Sequence, residues 1–365
     1  MAKRVIISGG GTGGHIFPAV AIADALKKME PETDILFVGA NGKMEMEKVP
    51  AAGYRIIGLN IQGFQRKSLV KNLWLPYKML MSLIKSRSII RDFKPDVVVG
   101  VGGYASGPIL YAASWMKIPY LIQEQNSYAG ITNKMLGKKA QKICVAFEGM
   151  DKFFPAEKIQ ITGNPIRKEA VDIDDKRGIG AELFGISPLK KTILLTGGSL
   201  GAGTMNKSMI AGLEKIIAAD VQLIWQTGKY YYQAITDRLA GKMHPNIKVL
   251  EFLQRMDLAY AAADLIVSRA GAGTIAELYV VKKPVILVPS PNVAEDHQTK
   301  NAMALVNNNA AVLVKDNEAE QNLVDIALRL INDENKCSTL AENISKMALP
   351  NADEVIAREV LKIAK

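Results

Sequence analysis

Short apolar runs alternate with helical patterns along the chain. In the first half the runs are Val5–Ser8, Ile35–Val38, Val97–Val101 and Tyr120–Ile122, and Ala19–Met29 has helical spacing. In the second half the runs are Thr192–Thr196, Leu223–Trp225, Lys248–Leu250, Leu265–Ser268 and Val285–Val288. Short apolar strands between helical stretches predict an α/β fold, in which helices cover both faces of a parallel sheet.

Each half of the chain begins with a strand, a glycine-rich loop and a helix. The first glycine loop is Gly9–Gly14 and the second is Gly197–Gly203. This repetition predicts two doubly wound parallel-sheet domains, which we place at residues 1–163 and 164–352. The last helical pattern, 353–365, has no strand after it, and we expect it to pack back on the N-terminal domain.

Composition limits the class of protein. A chain of 365 residues with 48% hydrophobic and 22% charged residues is typical of a globular protein of two domains and not of a disordered or collagen-like one. Two cysteines and three histidines are too few for a disulfide framework or a histidine-rich metal site. The N-terminal apolar run is too short for a signal peptide, and we expect no membrane-spanning helix.

Positive charge is concentrated in the N-terminal half. The formal net charge is +10, and residues 1–160, with 22 Lys and Arg against 12 Asp and Glu, carry all of it. The stretch 64–94 contains both basic and apolar residues at roughly helical spacing. Among them are Lys71, Trp74, Lys78 and Lys85. This pattern favours a helix that lies on an anionic membrane surface, while an ordinary packed helix with a solvated basic face is the alternative. No nucleic-acid motif accompanies the charge, so nucleic acid is not expected as a partner.

The glycine loops suit anionic ligands, because the backbone approaches closely and a helix N-terminus favours negative charge. Gly9, Gly11 and Gly14 have the spacing of a dinucleotide fingerprint, but the second strand ends without the acid that a nicotinamide site requires. We therefore expect no such cofactor. His15 is expected to lie inside this first loop, and it is either a general base or a structural histidine.

Two further segments are candidates for ligand contacts. Ser199 could donate its hydroxyl to a phosphate, and Glu277, after a third strand-loop-helix junction, could accept hydrogen bonds from ribose hydroxyls or be a solvated helix residue. Asp172 and Asp174 form a DxD pattern, but they lie in a predicted linker, and we do not expect a metal there.

Seven signatures occur in an order typical of one family: Gly9–Pro18, Gly102–Pro108, Gln123–Lys134, Gly163–Arg167, Gly197–Ala202, Arg269–Glu277 and Asp296–Ala302. On these motifs the sequence resembles the MurG family of peptidoglycan N-acetylglucosaminyltransferases. The resemblance implies a GT-B fold, in which two Rossmann-like domains face a cleft. It also implies inverting transfer of N-acetylglucosamine from UDP-N-acetylglucosamine to the C4 hydroxyl of lipid I, without a cofactor. A peripheral location on the cytoplasmic face of the cell membrane would follow from the lipid acceptor.

The resemblance assigns roles to individual positions. On the donor it implies Thr12, Gly13 and Gly14 at the sugar and diphosphate, Asn126 and Gln298 at the sugar, Arg167 and Ser199 on the nucleotide side, Leu253 by the uracil, and Ala272, Gly273, Thr274, Ile275, Ala276 and Glu277 at the ribose and phosphates. Tyr104 lies on the acceptor side. His15 is the first candidate base and Glu124 the second. The family often has other residues at Gln123 and His297, so the role of those two positions stays open.

Three alternatives fit parts of this pattern. Another GT-B transferase that uses a UDP-sugar, or a UDP-N-acetylglucosamine epimerase, would share the two domains and the nucleotide contacts. A non-catalytic, basic membrane-surface adaptor would share the charge pattern without binding the donor.

Overall fold

The structure, a computed structural model, describes residues 2–63, 73–241 and 244–365. The chain divides into a first unit, Met1–Ile166 with Leu349–Lys365, and a second unit, Arg167–Ala348. Each unit contains a parallel sheet flanked by helices, which confirms the predicted α/β class with two doubly wound domains. The chain leaves the first unit after Ile166, three residues beyond the expected domain end at 163.

The first unit is built on a seven-stranded sheet in the order β3-β2-β1-β4-β5-β6-β7. The strands are β1 (Arg4–Ser8), β2 (Asp34–Ala40), β3 (Arg55–Leu59), β4 (Val97–Gly100), β5 (Tyr120–Glu124), β6 (Lys142–Val145) and β7 (Ile159–Ile161). All pairs are parallel, and Ile6 of β1 pairs with Leu36 on one side and Val98 on the other. Because the strand order changes direction at β1, the loops after β1 and β4 meet at the switch point, where ligands bind in such folds.

Helices cover both faces of this first sheet. They are α1 (Gly13–Met29), α2 (Glu45–Ala51), α3 (Leu75–Phe93), α4 (Ser106–Trp115) and α5 (Ile131–Gly137). The helix α1 begins at Gly13, earlier than the expected Ala19, and His15 therefore lies in its first turn and not in a loop. A helix was expected within 64–94, and α3 covers Leu75–Phe93 of that stretch. Residues 64–72, which include Lys71, lie outside the described residues.

The second unit has a six-stranded parallel sheet in the order β10-β9-β8-β11-β12-β13. Its strands are β8 (Thr192–Thr196), β9 (Gln222–Gln226), β10 (Ile247–Leu250), β11 (Leu265–Ser268), β12 (Val285–Leu287) and β13 (Val312–Leu313). Its helices are α6 (Lys168–Val171), α7 (Arg177–Phe184), α8 (Gly203–Ala218), α9 (Tyr232–Arg238), α10 (Met256–Ala262), α11 (Ala272–Val281), α12 (His297–Val306), α13 (Asp316–Asn332) and α14 (Glu334–Lys346). The predicted strands Thr192–Thr196 and Leu265–Ser268 coincide with β8 and β11.

The last helix, α15 (Ala352–Ile363), belongs to the first unit although it follows the second in sequence. Its residues Ile356, Ala357 and Val360 are fully buried in one apolar cluster with side chains of β1, β4 and α1. At about 25 cal/mol per Å² of apolar surface, such burial contributes several kcal/mol to the first unit. Among the described residues, no helix is long and apolar enough to cross a bilayer.

Candidate functional site

A cavity of about 400 Å³ lies at the carboxyl ends of the strands of the second unit. It is lined by Thr196, Gly197, Gly198, Gly201, Ala202, Gly203, Tyr231, Met256, Arg269, Gly271, Thr274, Ser290, Asn292 and Gln298. The helices α8, α11 and α12 begin at Gly203, Ala272 and His297, within or next to this lining. Three helix N-termini, whose free amide groups and dipoles favour negative charge, therefore meet at one cavity. A diphosphate suits this environment.

Two glycines shape the second glycine loop, which forms one wall of the cavity. Gly198 and Gly201 have φ angles of +83° and +87°. A Cβ atom on Gly201 would lie 2.1 Å from the carbonyl oxygen of Thr227, so a side chain there has no space. The buried Gln226 side chain donates to the Gly198 carbonyl at 3.2 Å and accepts from the Thr196 hydroxyl at 2.9 Å. Side chains at the ends of β8 and β9 are thus hydrogen-bonded to each other, and the one on β9 is also bonded to the loop.

Arg269 is the cationic side chain in the lining, and no pattern in the sequence assigns it a role. Its Nη1 donates to the carbonyl oxygens of Val288 and Pro289 at 3.0 and 3.1 Å, and it is ion-paired with Asp316. The other Asp316 oxygen accepts from the Thr204 hydroxyl at 2.9 Å. Arg269 therefore joins the loop after β11 to the starts of α8 and α13. The Arg269–Glu277 signature contained this residue, but its partners lie too far along the chain to be recognised.

Glu277 lies on α11 with both carboxylate oxygens in contact with other side chains of the second unit. Oε1 is 3.1 Å from Nη2 of Arg167, and Oε2 accepts from the Tyr260 hydroxyl at 3.0 Å. The pKa of Tyr260 is raised by burial and by the Glu277 charge, so its hydroxyl remains a donor. The two predicted residues Arg167 and Glu277 are thus brought together. Glu277 is an ordered acceptor and not a solvated helix residue.

The other predicted donor contacts fall into three groups. Thr274 and Gln298 line the cavity, and the Gln298 side-chain oxygen accepts from the Ser290 amide at 2.8 Å. Ser199 is exposed on the second glycine loop, and Leu253 is buried, but neither lines the cavity. On α11, Ile275 and Ala276 are buried, so these two positions offer backbone rather than side-chain contacts to a ligand.

In the first unit, His15 lies against the loops that follow β1 and β4. Its Nδ1 is 3.1 Å from the Thr12 hydroxyl, one turn earlier. Gly102 has a φ of +92°, and a Cβ atom there would lie 2.9 Å from His15 Cδ2 and 3.4 Å from the Gln125 side-chain oxygen. The imidazole therefore lies where the strand ends of β1, β4 and β5 meet, which is the ligand-binding edge of the sheet.

Glu124 is fully buried at the end of β5, and it organises the loop that follows. Its Oε1 accepts from the Asn126 amide at 3.1 Å, and its Oε2 accepts from the Gly130 amide at 2.9 Å and from the Asn133 side chain at 2.8 Å. Burial raises the pKa of Glu124, and these donors act in the opposite direction. The carboxylate therefore fixes the segment that carries Asn126.

A second buried carboxylate, Glu45, lies beneath the first glycine loop. It accepts from the amides of Gly11 and Ala40, and it has no exposed surface. Next to it, the Tyr104 ring lies 3.1 Å from the position of a Gly11 Cβ. The pKa of Tyr104 is raised by burial and by the charge of Glu45. No motif in the sequence indicates that Glu45 is buried.

The helix α3 has one buried and one exposed face. Ser82, Ser86, Ile89 and Ile90 are buried, whereas the exposed apolar side chains include Leu73, Trp74, Tyr77, Leu80 and Ile84, preceding or on the helix. Trp115 at the end of α4 is 67% exposed and is covered on one face by the Arg87 guanidinium at 4.5 Å. The predicted residues Lys78 and Lys85 donate to Gln62 and to the Gly58 carbonyl, so their ammonium groups lie along the unit's surface.

Metal-ligand clusters of three or more His, Cys, Asp or Glu side chains are absent from the part of the chain that the structure describes. Of the DxD pair, Asp172 forms an ion pair with Lys176 at 2.7 Å.

Comparisons with known proteins agree with this geometry. Residues 5–145 match the glycosyltransferase family 28 N-terminal domain, and residues 192–358 match the family 28 C-terminal domain. A Bacteroides fragilis protein is 59% identical over 100% of this chain and 96% of its own length. It is named UDP-N-acetylglucosamine–N-acetylmuramyl-(pentapeptide) pyrophosphoryl-undecaprenol N-acetylglucosamine transferase.

Two solved structures are also similar. The crystal structure of Acinetobacter baumannii MurG has a TM-score of 0.81 and 29% identity, with 99% of each chain covered. A UDP-GlcNAc 2-epimerase from Neisseria meningitidis, bound to UDP-GlcNAc, has a TM-score of 0.69 and 18% identity, with 99% of this chain and 100% of that chain covered. The second likeness concerns the fold alone, and it leaves the chemistry to be argued from the site.

Proposed function

Because the chain belongs to the MurG family of glycosyltransferases, we propose that it transfers N-acetylglucosamine from UDP-N-acetylglucosamine to the C4 hydroxyl of the muramic acid unit of lipid I. The product is lipid II, a precursor of peptidoglycan. The observation that carries the proposal for the donor is the cavity of the second unit, where three helices begin. A uridine diphosphate sugar has the charge that such a cavity stabilises.

The transfer needs stabilisation of the leaving group. The bond between the anomeric carbon and the UDP oxygen breaks, the new bond to the acceptor oxygen forms on the opposite face, and negative charge grows on the diphosphate. Amides of the second glycine loop and of the α11 N-terminus are fixed donors for this charge. Thr274 and Gln298 lie in the lining and would contact the diphosphate and the sugar, and Glu277 would accept from the ribose hydroxyls.

A base must take the proton of the acceptor hydroxyl, and we assign this role to His15. An imidazole accepts a proton near neutral pH, and His15 lies at the ligand-binding edge of the first sheet. The Thr12 hydroxyl, 3.1 Å from Nδ1, orients the ring. Glu124 is assigned a positioning role, because its oxygens accept hydrogen bonds from the loop that carries Asn126. Tyr104 lies beside the first glycine loop on the acceptor side.

The acceptor is a lipid, and we propose that the exposed face around α3 docks on the anionic cytoplasmic surface of the cell membrane. Trp74 and Tyr77 are 67% and 57% exposed and lie edge to face, with ring centroids 6.3 Å apart. Aromatic side chains of this kind favour the headgroup region, and nearby basic residues favour anionic lipids. Lys71 belongs to the same proposal and lies outside the described residues.

A transfer assay with labelled UDP-N-acetylglucosamine and lipid I tests the function. The wild type should form a labelled disaccharide lipid and release UDP, whereas an epimerase would alter the sugar nucleotide and leave the lipid unlabelled. His15→Ala should lower kcat by about 10²- to 10⁴-fold, which is the usual contribution of a general base. A control variant, His244→Ala, changes a histidine of the second unit that bonds to the Asn246 amide, and it should retain activity. Full activity of His15→Ala would exclude the assigned base.

A further inference from the structure

One aromatic side chain, that of Tyr231, reaches the donor cavity of the second unit from the segment that follows β9. A Cβ atom on Gly201 would lie 2.8 Å from Cδ2 of this ring, and one on Gly203 would lie 2.9 Å from its hydroxyl oxygen. The ring can approach the backbone this closely because both positions are glycines. The Tyr231 ring therefore packs on the second glycine loop, and its hydroxyl lies beside the first residue of α8.

The backbone that carries Tyr231 is bound to the same loop and to α8. The Lys229 amide donates to the Ser199 carbonyl of the second glycine loop at 3.1 Å. The buried Asn206 side chain of α8 donates to the Thr227 carbonyl at 2.9 Å. Because these bonds form without a ligand, the segment loses little conformational freedom when a ligand binds.

The Tyr231 hydroxyl is available to a ligand. Among the residues that the structure describes, none forms a hydrogen bond with it. The side chain is 36% exposed, whereas the neighbouring Tyr230 is 72% exposed and does not belong to the lining of the cavity. A phenol hydroxyl can donate one hydrogen bond, and such bonds are stronger when the acceptor is charged. The hydroxyl can therefore donate to a phosphate oxygen without giving up a bond within the protein.

We propose that Tyr231 is a donor-binding residue, whose hydroxyl donates a hydrogen bond to the diphosphate of the UDP-sugar beside the start of α8. The diphosphate gains negative charge as its bond to the anomeric carbon breaks, so the hydrogen bond strengthens in the transition state. Tyr231 then contributes both to the affinity for UDP and to the rate of transfer. The inference rests on the proposed use of a UDP-sugar and not on the identity of the acceptor.

Tyr231→Phe removes the hydroxyl and keeps the ring on the glycine loop. Calorimetry should show that UDP binds this variant at least about tenfold more weakly, as expected for the loss of a hydrogen bond to a charged group. Uridine, which lacks the phosphates, should bind the wild type and the variant within about twofold in a ligand-observed NMR titration. Unchanged UDP affinity overturns the proposal, and an equal loss for UDP and uridine overturns the assignment to the diphosphate.

Gly203→Ala displaces the hydroxyl instead of removing it. The added Cβ would lie 2.9 Å from the hydroxyl oxygen of Tyr231, whereas the nearest remaining ring atom in the Tyr231→Phe background is Cζ at 3.3 Å. Gly203→Ala should therefore weaken UDP binding by at least about fivefold in the wild-type background and by about twofold or less in the Tyr231→Phe background. Equal losses in the two backgrounds contradict a role for the hydroxyl.

The matched control is Tyr230→Phe, which removes an exposed hydroxyl at the adjacent position. It should leave UDP affinity and kcat within about twofold of the wild type, and a loss as large as that of Tyr231→Phe contradicts the proposal. In the transfer assay, Tyr231→Phe should lower kcat/KM for UDP-N-acetylglucosamine by at least about tenfold.

Failure of the proposed function appears separately from failure of this inference. A wild type that binds UDP but labels no lipid contradicts the proposed acceptor, and the calorimetric comparison still decides the role of Tyr231. A wild type that does not bind UDP contradicts both proposals. Equal UDP affinity of the wild type and Tyr231→Phe, with normal formation of the lipid product, overturns this inference alone.

Discussion

Single glycines fix the position of His15. Gly102 has a φ of +92°, and its hypothetical Cβ lies 2.9 Å from Cδ2 and 3.1 Å from Nε2 of the imidazole. A side chain here would both strain the backbone and push the ring, and misplacement of a reacting group by about 1 Å costs on the order of 10²-fold in rate.

We therefore expect Gly102→Ala to lower kcat in the lipid I assay by about 10- to 100-fold. Gly53→Ala is a control for backbone strain, because Gly53 has a φ of +85° but its Cβ would meet no atom within 4 Å. The control should lose similar stability in urea unfolding and retain its activity. Equal loss of kcat in both variants would mean that contact with His15 does not matter.

The burial of Lys283 should make the free energy of unfolding depend on pH. Its Nζ donates to the carbonyl oxygens of Ala261, at 2.9 Å, and Ala263, and burial lowers its pKa from 10.5 to about 8. Between these values the unfolded chain holds the proton and the folded chain does not, so the free energy of unfolding increases as pH rises from about 8 to 10.5. The expected gain is about 3 kcal/mol.

Urea unfolding from pH 7 to pH 10.5 measures this dependence. Lys283→Met should remove the increase, and Lys282→Met, at the exposed neighbouring position, should preserve it. A wild type whose stability only falls over that range would show that Lys283 is not a significant source of the pH dependence.

At the residue scale, the sequence identified positions within compact motifs and missed those whose partners are distant. His15 and Glu277 were found because they adjoin glycine-rich junctions. Glu45 was missed because its bonds reach Gly11, 34 positions earlier, and nothing in its own segment marks it as buried. The same reason applies to Arg269, whose carboxylate partner Asp316 lies 47 positions away. Glu124 was found, but its hydrogen bonds, and therefore its role, required coordinates.

At the scale of elements, continuous apolar runs predicted strands well and mixed runs did not. β8 and β11 each contain three consecutive branched apolar residues and lie at the centre of the second sheet. β3 contains Arg55 and Gly58, and β13 has only two residues. Neither sequence therefore has an apolar run that distinguishes a strand from a loop. The start of α1 was placed too late, because the pair Gly13-Gly14 has low helix propensity and packing overrides it.

The exposed face around α3 allows a test of membrane docking. Trp74 and Leu80 are 67% and 56% exposed, and transfer of such side chains from water contributes on the order of 1.5–3 kcal/mol each. We expect the double variant Trp74→Ser, Leu80→Ser to lose most of its binding to vesicles that contain phosphatidylglycerol, measured by flotation. Activity on a water-soluble analogue of the acceptor should be unchanged.

Leu189→Ser is the matched control for this experiment, since Leu189 is 94% exposed but belongs to the second unit. Its vesicle binding should equal that of the wild type. Vesicles of phosphatidylcholine alone should bind the wild type less, because they contain no anionic lipid to attract the basic residues. If the double variant floats with anionic vesicles as the wild type does, the α3 face is not the docking surface.

At the scale of the whole molecule, the chain passes from the first unit to the second after Ile166 and returns before Leu349. Consecutive helices near the C-terminus therefore stabilise different cores. Leu340 of α14 is buried in the cluster that contains β8 and α13 side chains, and Ile356 of α15 is buried in the cluster that contains β1 and α1 side chains. Composition alone gives no sign of this division, since both helices are amphipathic.

Truncation of either buried side chain should lower the stability of the unit that contains it and leave the other unit unchanged. Ile356→Ala and Leu340→Ala each leave a cavity and should cost about 2–5 kcal/mol. Hydrogen exchange measured by mass spectrometry should increase in β1 and β4 peptides for Ile356→Ala, and in β8 and β11 peptides for Leu340→Ala. Each variant is the control for the other, because the change in volume is similar. Equal acceleration of exchange in both sheets by one variant would mean that the two units unfold together, and that the donor cavity depends on the last helix for its stability.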